Sequence, residues 1–368
     1  MKILQVFKVY LPDGFAGVER VIYEIAEGTT RLGFDHSVLS LSRSPNVDGI
    51  PIGSHHGFSA RLHLDIASTP LSLAAWGLYR RLAAEADLVH FHFPWPMGDL
   101  LHMTSGVRKP TIVTYHSDVV KQKVLLRAYR PLMHRFLDRA DRIVATSPGY
   151  AESSDVLQRY RSKTSVICLG IDEQHPAADP LLVEEWRRRV GDRFFLFVGQ
   201  FRYYKGIDFL LAAAAQTGVP VVLAGSGSLA EHVERTRPPN VFLAGPIDDA
   251  NKNALLELCT ALVLPSHLRS EAFGVVLLEA ARAGKPLISC EIGTGTTYVN
   301  KDGVTGIAVP PADVGALAAA MRTLANDQKM ASAMGRAARD RFDQLLTARV
   351  MCRQYADLYR EVADMHAR

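Results

Sequence analysis

Phe194-Phe195-Leu196-Phe197-Val198-Gly199-Gln200-Phe201-Arg202-Tyr203-Tyr204-Lys205-Gly206-Ile207-Asp208 passes from an unbroken apolar run, through a glycine-bounded turn with two cations, into a helical pattern. A short continuous apolar run next to turn residues marks a strand covered on both faces. The pattern predicts a strand over Phe194–Val198 and a helix over Asp208–Gln216. It then recurs, with strands at Val221–Ala224, Val241–Ala244, Ala261–Leu264, Leu287–Cys290 and Gly306–Val309. Helices at Leu229–Arg235, Asp249–Cys259, Val275–Ala283 and Val314–Ala325 fill the gaps. Upstream, strands at Ile3–Val9, His36–Ser42, Leu88–Phe93, Thr111–His116 and Arg142–Ser147 follow the same scheme, with a helix at Val18–Leu32. This alternation implies an α/β protein with two doubly wound parallel sheets, both Rossmann-like.

At 368 residues the chain exceeds what one core supports, in agreement with two domains. The break falls near Gly170-Ile171-Asp172, ahead of the Pro- and Ala-rich His175–Pro180 and the helical Leu181–Val190. The expected division is 1–170, 171–345 and a C-terminal helix over 346–368 that packs back toward the first domain. In open α/β sheets ligands bind beyond the carboxyl ends of the strands. Chemistry is therefore expected in the loops that follow strands, where the two domains face a cleft.

Nearly half of the residues are apolar and 22% are charged, with no Pro-, Ser- or Gln-rich window, which excludes a disordered or fibrous chain. Cys168, Cys259, Cys290 and Cys352 are scattered, without a CxxC pair or zinc-ligand spacing, and fit a reducing cytoplasm. Met1-Lys2 runs directly into the strand-like Ile3–Phe7, with no signal-peptide core. The most apolar stretch, Phe209–Gly225, is interrupted by Gln216, Gly218 and Pro220 and cannot span a bilayer. The expectation is a cytoplasmic protein, at most peripheral to the inner face of the cytoplasmic membrane.

The net charge of +4 is concentrated upstream: residues 1–170 hold 20 Lys and Arg against 15 Asp and Glu, whereas 171–368 hold 22 against 23. Seven basic residues lie between Lys121 and Arg142, opposed only by Asp138 and Asp141 and interleaved with apolar side chains. That segment reads either as a membrane-surface face or as an ordinary amphipathic helix pair, interrupted near Pro131, with a solvated basic side. Its aromatics do not alternate with the charges as a stacking platform requires, so no nucleic-acid partner is expected.

The turn after Phe194–Val198 is built for anions. Arg202 can fork onto phosphate oxygens, Lys205 adds a point charge, and the helix start beyond Gly206 offers free N–H groups. After Ala261–Leu264 comes Pro265-Ser266-His267-Leu268-Arg269-Ser270-Glu271-Ala272-Phe273-Gly274-Val275-Val276-Leu277-Leu278-Glu279, with two glutamates eight positions apart. If Val275–Ala283 is helical, Glu279 stands about 12 Å along the axis from Glu271, with Gly274 between them. An ionised carboxylate only accepts hydrogen bonds, which suits the diols at either end of a sugar nucleotide. Taken singly, the turn is also what a solvated basic loop looks like, and the glutamates what a capped amphipathic helix looks like.

Together, Gly199, Arg202, Lys205-Gly206 and the Glu271-to-Glu279 spacing resemble family 4 of the retaining glycosyltransferases, which have the GT-B fold. The resemblance covers nearly the whole chain and includes Ala16-Gly17-Val18-Glu19-Arg20, Tyr115-His116-Ser117 and Leu169-Gly170-Ile171-Asp172. Ala16 departs from it, standing where the family usually has the first of two adjacent glycines. The resemblance implies that Arg202 and Lys205 hold the donor diphosphate, Glu279 the ribose and Glu271 the transferred sugar, with no metal ion because the cations take its place. It implies a catalytic set of His116, Arg202, Lys205 and Glu271, with His116 approaching the donor sugar from the first domain. Gly17, Gly199 and the amides around Phe273-Gly274-Val275 complete the donor site, and Gly14, Gly17, Glu19 and His92 are acceptor-side candidates.

By its position at a strand end His116 fits a site better than a buried structural role, and His90 and His92 read as cleft-lining or structural, being a poor metal pair without a carboxylate. Retention of configuration is implied by the family alone. Gly293–Asn300 together with Arg202–Lys205 looks similar to bacterial mannosyl- and rhamnosyltransferases of O-antigen assembly, which implies a GDP-mannose or GDP-rhamnose donor and a lipid-linked glycan or oligosaccharide acceptor. A nucleotide-sugar 2-epimerase of the same architecture, a transferase using a UDP-sugar and a non-enzymatic sugar-nucleotide binder remain alternatives. A dehydrogenase lacks its GxGxxG.

Overall fold

Leu88–Phe93, Thr111–Tyr115, Val221–Ala224, Ala261–Leu264 and Leu287–Cys290 are buried along their whole length, as continuous apolar runs between helical layers should be. The computed structural model describes every residue except Ala16, Ala67, Ser68, residues 119–122, His175, Pro176 and Arg368, and only the backbone of 123–126. Two compact units result, one formed by Met1–Gly170 with Ala348–Arg368 and the other by Ile171–Thr347.

In the first unit the strands are β1 (Lys2–Val6), β2 (Asp35–Ser42), β3 (Ile50–Ile52), β4 (His55–Arg61), β5 (Leu64–Ile66), β6 (Thr69–Leu71), β7 (Leu88–Phe93), β8 (Thr111–Tyr115), β9 (Arg142–Ala145) and β10 (Thr164–Val166). Eight of them form one sheet in the order β10-β9-β8-β7-β1-β2-β4-β3, parallel apart from β3, while β5 and β6 make a separate hairpin. The order reverses between β1 and β7. The helix Ala348–Ala367 returns to this unit, burying Met351, Cys352, Tyr355, Tyr359 and Val362 on one stripe. Tyr359 Oη lies 2.8 Å from His90 Nδ1 and Tyr355 Oη 2.8 Å from Thr114 Oγ1, so the helix closes the polar interior as well as the apolar one.

The basic segment forms one helix, Lys123–Arg139, with Pro131 inside it, and not the interrupted pair that one of its two readings allowed. Pro131 is exposed, so water can take the carbonyl that its missing N–H leaves, and the helix continues. Arg127, Arg130, Arg135 and Arg139 are exposed, while Met133, Phe136 and Leu137 are buried. Tyr129 donates to a carboxyl oxygen of buried Asp99, pinning the helix to Pro96–Thr104. Lys121 lies outside the described residues.

The second unit is fully parallel: β11 (Phe195–Val198), β12 (Val221–Ala224), β13 (Val241–Gly245), β14 (Ala261–Leu264), β15 (Leu287–Cys290) and β16 (Gly306–Val309), in the order β13-β12-β11-β14-β15-β16. Its order reverses between β11 and β14, the switch point beyond which an open α/β sheet is expected to bind its ligand. Phe194, Leu196 and Phe197 are fully buried, each contributing about 1.5–3 kcal/mol of apolar burial to that part of the sheet. A helix over Gln328–Leu345, capped by Asp327, went unread in the sequence; Ala331, Met334, Ala338 and Phe342 form its buried stripe. Among the described residues no helix is long and apolar enough to cross a membrane.

Candidate active site

The loop that leaves β11 is held by the backbone of its neighbours. Gly199 N–H donates to Ala224 O at 2.9 Å and Phe201 N–H to Ser226 O at 2.8 Å, which lays residues 199–201 along the Gly225-Ser226-Gly227 turn after β12. A side chain at Gly225 would overlap the Gly199 carbonyl, and one at Gly206, whose φ is +69°, would overlap the Pro265 carbonyl. Glycine is required at both because two loops touch through their main chains. The Gly206–Pro265 approach brings the loop after β11 against the loop after β14.

Their side chains meet there. Lys205 Nζ is 2.5 Å from Glu271 Oε2, with both side chains nearly buried, and Ser266 Oγ donates to the same oxygen at 3.1 Å. Burial works against the Lys205 charge, but the adjacent Glu271 carboxylate outweighs it and holds the lysine pKa above its ordinary value. The ammonium also lies over the Tyr204 ring at 5.4 Å. Arg202 is exposed, its Nε donating to Gln200 Oε1 at 2.6 Å.

Gly274, in the left-handed conformation, turns the chain into the helix Val275–Arg282. Phe273 is buried and Gly295 packs directly on its ring, so only its backbone is available to a ligand. Glu279 is buried on this helix, and its Oε1 accepts from Lys252 Nζ at 2.8 Å; Lys252 reaches Asp249 as well, at 2.6 Å. The second unit thus holds two buried lysine–carboxylate pairs. The sequence reading had Glu279 but not Lys252, which sits mid-helix in Asp249–Leu258 with no spacing signal. It also missed the Gly225-Ser226-Gly227 brace, although two glycines directly after an apolar strand were a readable sign.

The other expected residues lie in the first unit. Gly14 is in the loop after β1, Gly17 opens the helix Gly17–Thr30, and Glu19 occupies its first turn. Ala16 lies outside the described residues. His116 directly follows β8, its N–H donating to Phe93 O at 3.0 Å. Its Nε2 is 2.9 Å from His92 Nδ1, and His92 Nε2 is 2.9 Å from Gln5 Oε1. With both nitrogens of His92 engaged, none is left for an acceptor and the expected acceptor-side role does not fit it. Burial pushes His116 down to about 3 and His92 well below the ordinary histidine range, so both rings are neutral. His116 is therefore a hydrogen-bonding group and not a proton carrier near neutral pH. Among the described residues no three His, Cys, Asp or Glu side chains cluster to hold a metal ion.

With this geometry in place, comparison with known proteins is informative. Residues 15–175 match Glycosyltransferase Family 4, and residues 180–341 match Glycosyl transferases group 1. The chain is 49% identical over 353 residues to the D-rhamnosyltransferase WbpZ of Pseudomonas aeruginosa, covering 95% of this chain and 93% of that one. It is 43% identical over 363 residues to the O-antigen chain mannosyltransferase C of Escherichia coli, covering 98% of each. Sucrose-phosphate synthase from Thermosynechococcus elongatus superposes with a TM-score of 0.83 over 98% of both chains at 21% identity, a likeness of fold.

Proposed function

Because the chain belongs to glycosyltransferase family 4 and is a glycosyltransferase, we propose that it moves mannose from GDP-mannose, or D-rhamnose from GDP-rhamnose, to a lipid-linked glycan in O-antigen assembly, with retention of configuration. The observation that carries this reading is the buried Lys205–Glu271 pair where the loops after β11 and β14 meet, three residues beyond an exposed Arg202. In this reading Lys205 and Arg202 take the donor diphosphate and stabilise the negative charge that grows on it as the glycosidic bond breaks, standing where a metal-dependent enzyme uses its ion. Glu271 accepts from hydroxyls of the transferred sugar, and Glu279 accepts from the ribose diol. Free N–H groups around Phe273-Gly274-Val275 bind further oxygens, and the acceptor attacks from the leaving-group side. Gly14, Gly17 and Glu19 serve the acceptor. The exposed arginines of Lys123–Arg139 meet anionic headgroups at the inner face of the cytoplasmic membrane.

The test is incubation of the purified chain with GDP-mannose or GDP-rhamnose and a lipid-linked glycan. The expected product carries one new glycosidic bond of the donor's anomeric configuration, formed equally well with a chelator present. Epimerised donor in the absence of acceptor would replace this reading with a 2-epimerase. Thermal stabilisation by UDP and not by GDP would replace the donor. Flotation with anionic liposomes, weakened by Arg127→Glu with Arg130→Glu, tests the membrane contact.

A further inference from the structure

Five side chains from five segments of the first unit form one line of hydrogen bonds, Thr29, His36, Gln5, His92 and His116, and its direction follows from chemistry. Thr29 Oγ1 is 2.6 Å from the Ile25 carbonyl oxygen and 2.6 Å from His36 Nε2. A carbonyl only accepts, so the single hydroxyl proton goes to Ile25 and His36 Nε2 must donate to Thr29. Burial pushes His36 down to about 3, which keeps the ring neutral and makes Nδ1 an acceptor. The Gln5 atom 3.2 Å from it is therefore the amide nitrogen, which also lies 3.5 Å from the Ile22 carbonyl. That turns Gln5 Oε1 toward His92 Nε2, which must carry a proton. Neutral His92 then accepts at Nδ1, and His116 Nε2 is the donor. His116 Nδ1 is left bare, with no hydrogen bond among the described residues, and so remains to accept from a further partner.

We propose that Thr29, His36, Gln5 and His92 are positioning residues that lock His116 as the Nε2–H tautomer, so that its Nδ1 accepts a hydrogen bond from a hydroxyl of the sugar substrate. The sugar rests on the glycosyltransferase reading above; the lock does not. The opposite tautomer would present an N–H to the same hydroxyl and demand a lone pair from it. A relay of this kind discriminates by direction: a substrate hydroxyl replaced by fluorine, which cannot donate, loses the contact.

The full chain labelled with 15N-histidine tests this by long-range proton–nitrogen correlation, the rings being assigned through His36→Gln, His92→Gln and His116→Gln. His36, His92 and His116 are each expected to show a protonated Nε2 and a bare Nδ1. His92→Gln preserves the direction, its amide donating to Gln5 and its carbonyl accepting from His116, and should keep kcat/KM within about twofold of the parent. His92→Leu breaks the line and should lower kcat/KM by about tenfold while His116 loses its single-tautomer signature. A protonated Nδ1 on His116 in the parent, or a His116 tautomer unchanged by His92→Leu, overturns the proposal. A chain that shows the expected tautomers but transfers no sugar sinks the functional reading and leaves the lock standing.

Discussion

Around β11 and β14 the second unit buries two lysine–carboxylate pairs, Lys205–Glu271 and Lys252–Glu279, whereas within β7 and directly after β8 the first unit buries histidines that burial itself keeps neutral. Lys205–Glu271 and His116 both lie past the carboxyl ends of parallel strands, where an open α/β sheet leaves room for a ligand. The chemistry differs in kind. The lysine of an ion pair can take an incoming anion alongside its carboxylate, while a neutral relay has no charge to offer and presents a fixed sequence of donors and acceptors. The first arrangement suits phosphate and the second suits hydroxyls.

The contrast can be broken most severely at Lys205. Lys205→Ala should lower kcat/KM by about 1000-fold in steady-state kinetics, the scale of losing one preorganised charge-stabilising group, and Lys205→Arg should recover only part because a planar fork does not replace a point charge. Lys252→Met leaves Glu279 buried without its lysine and should cost about 3 kcal/mol in urea unfolding, whereas adding Glu279→Leu should return most of that. If the double variant is no more stable than the single one, the pair is not what holds that helix.

Acid should act on the first unit before the second. The folded-state pKa values of His36, His102 and His116 are depressed to about 3, 4 and 3, so the unfolded chain binds protons first as pH falls below the ordinary histidine range near 6.5. Stability is full above that range and is lost on acidification toward the folded values, by up to about 1.4 kcal/mol per pH unit for each histidine titrating. Asp99, which burial raises to about 8, has the opposite sign and loses stability as pH rises from the ordinary aspartate range, so the measurement belongs in an Asp99→Asn background. Tyr359→Phe, which takes one partner from His90, should cost about 1 kcal/mol. Glu361→Ala removes only a half-exposed partner of Arg142 and should stay within about 0.5 kcal/mol.

The strands that carry the site were legible because a strand covered on both faces has to be apolar throughout: Leu88–Phe93, Val221–Ala224, Ala261–Leu264 and Leu287–Cys290 match the sequence reading residue for residue. The far end of the first sheet was not, since Ile50–Ile52 is three residues around a proline, His55–Arg61 mixes polar with apolar residues, and both pair with neighbours that define them only in three dimensions. The relay was illegible for a related reason. Gln5, Thr29, His36, His92 and His116 come from five segments with no common spacing, and only their hydrogen bonds show that they belong together. Lys252 was hidden differently, as a lysine on an amphipathic helix is normally solvated and its burial follows from the partner it finds at Glu279.

The return of Ala348–Ala367 to the first unit also sets an order of events during synthesis. Ile171–Thr347 is continuous in the chain and can complete its sheet as soon as Thr347 clears the ribosome, at translation speeds of about 5–20 residues per second. Met1–Gly170 emerges earlier yet must wait longer, because Thr114 and His90 meet Tyr355 and Tyr359 only when the last helix arrives. The half of the protein that is made first is finished last, its polar layer at His90 and Thr114 being closed only by that helix.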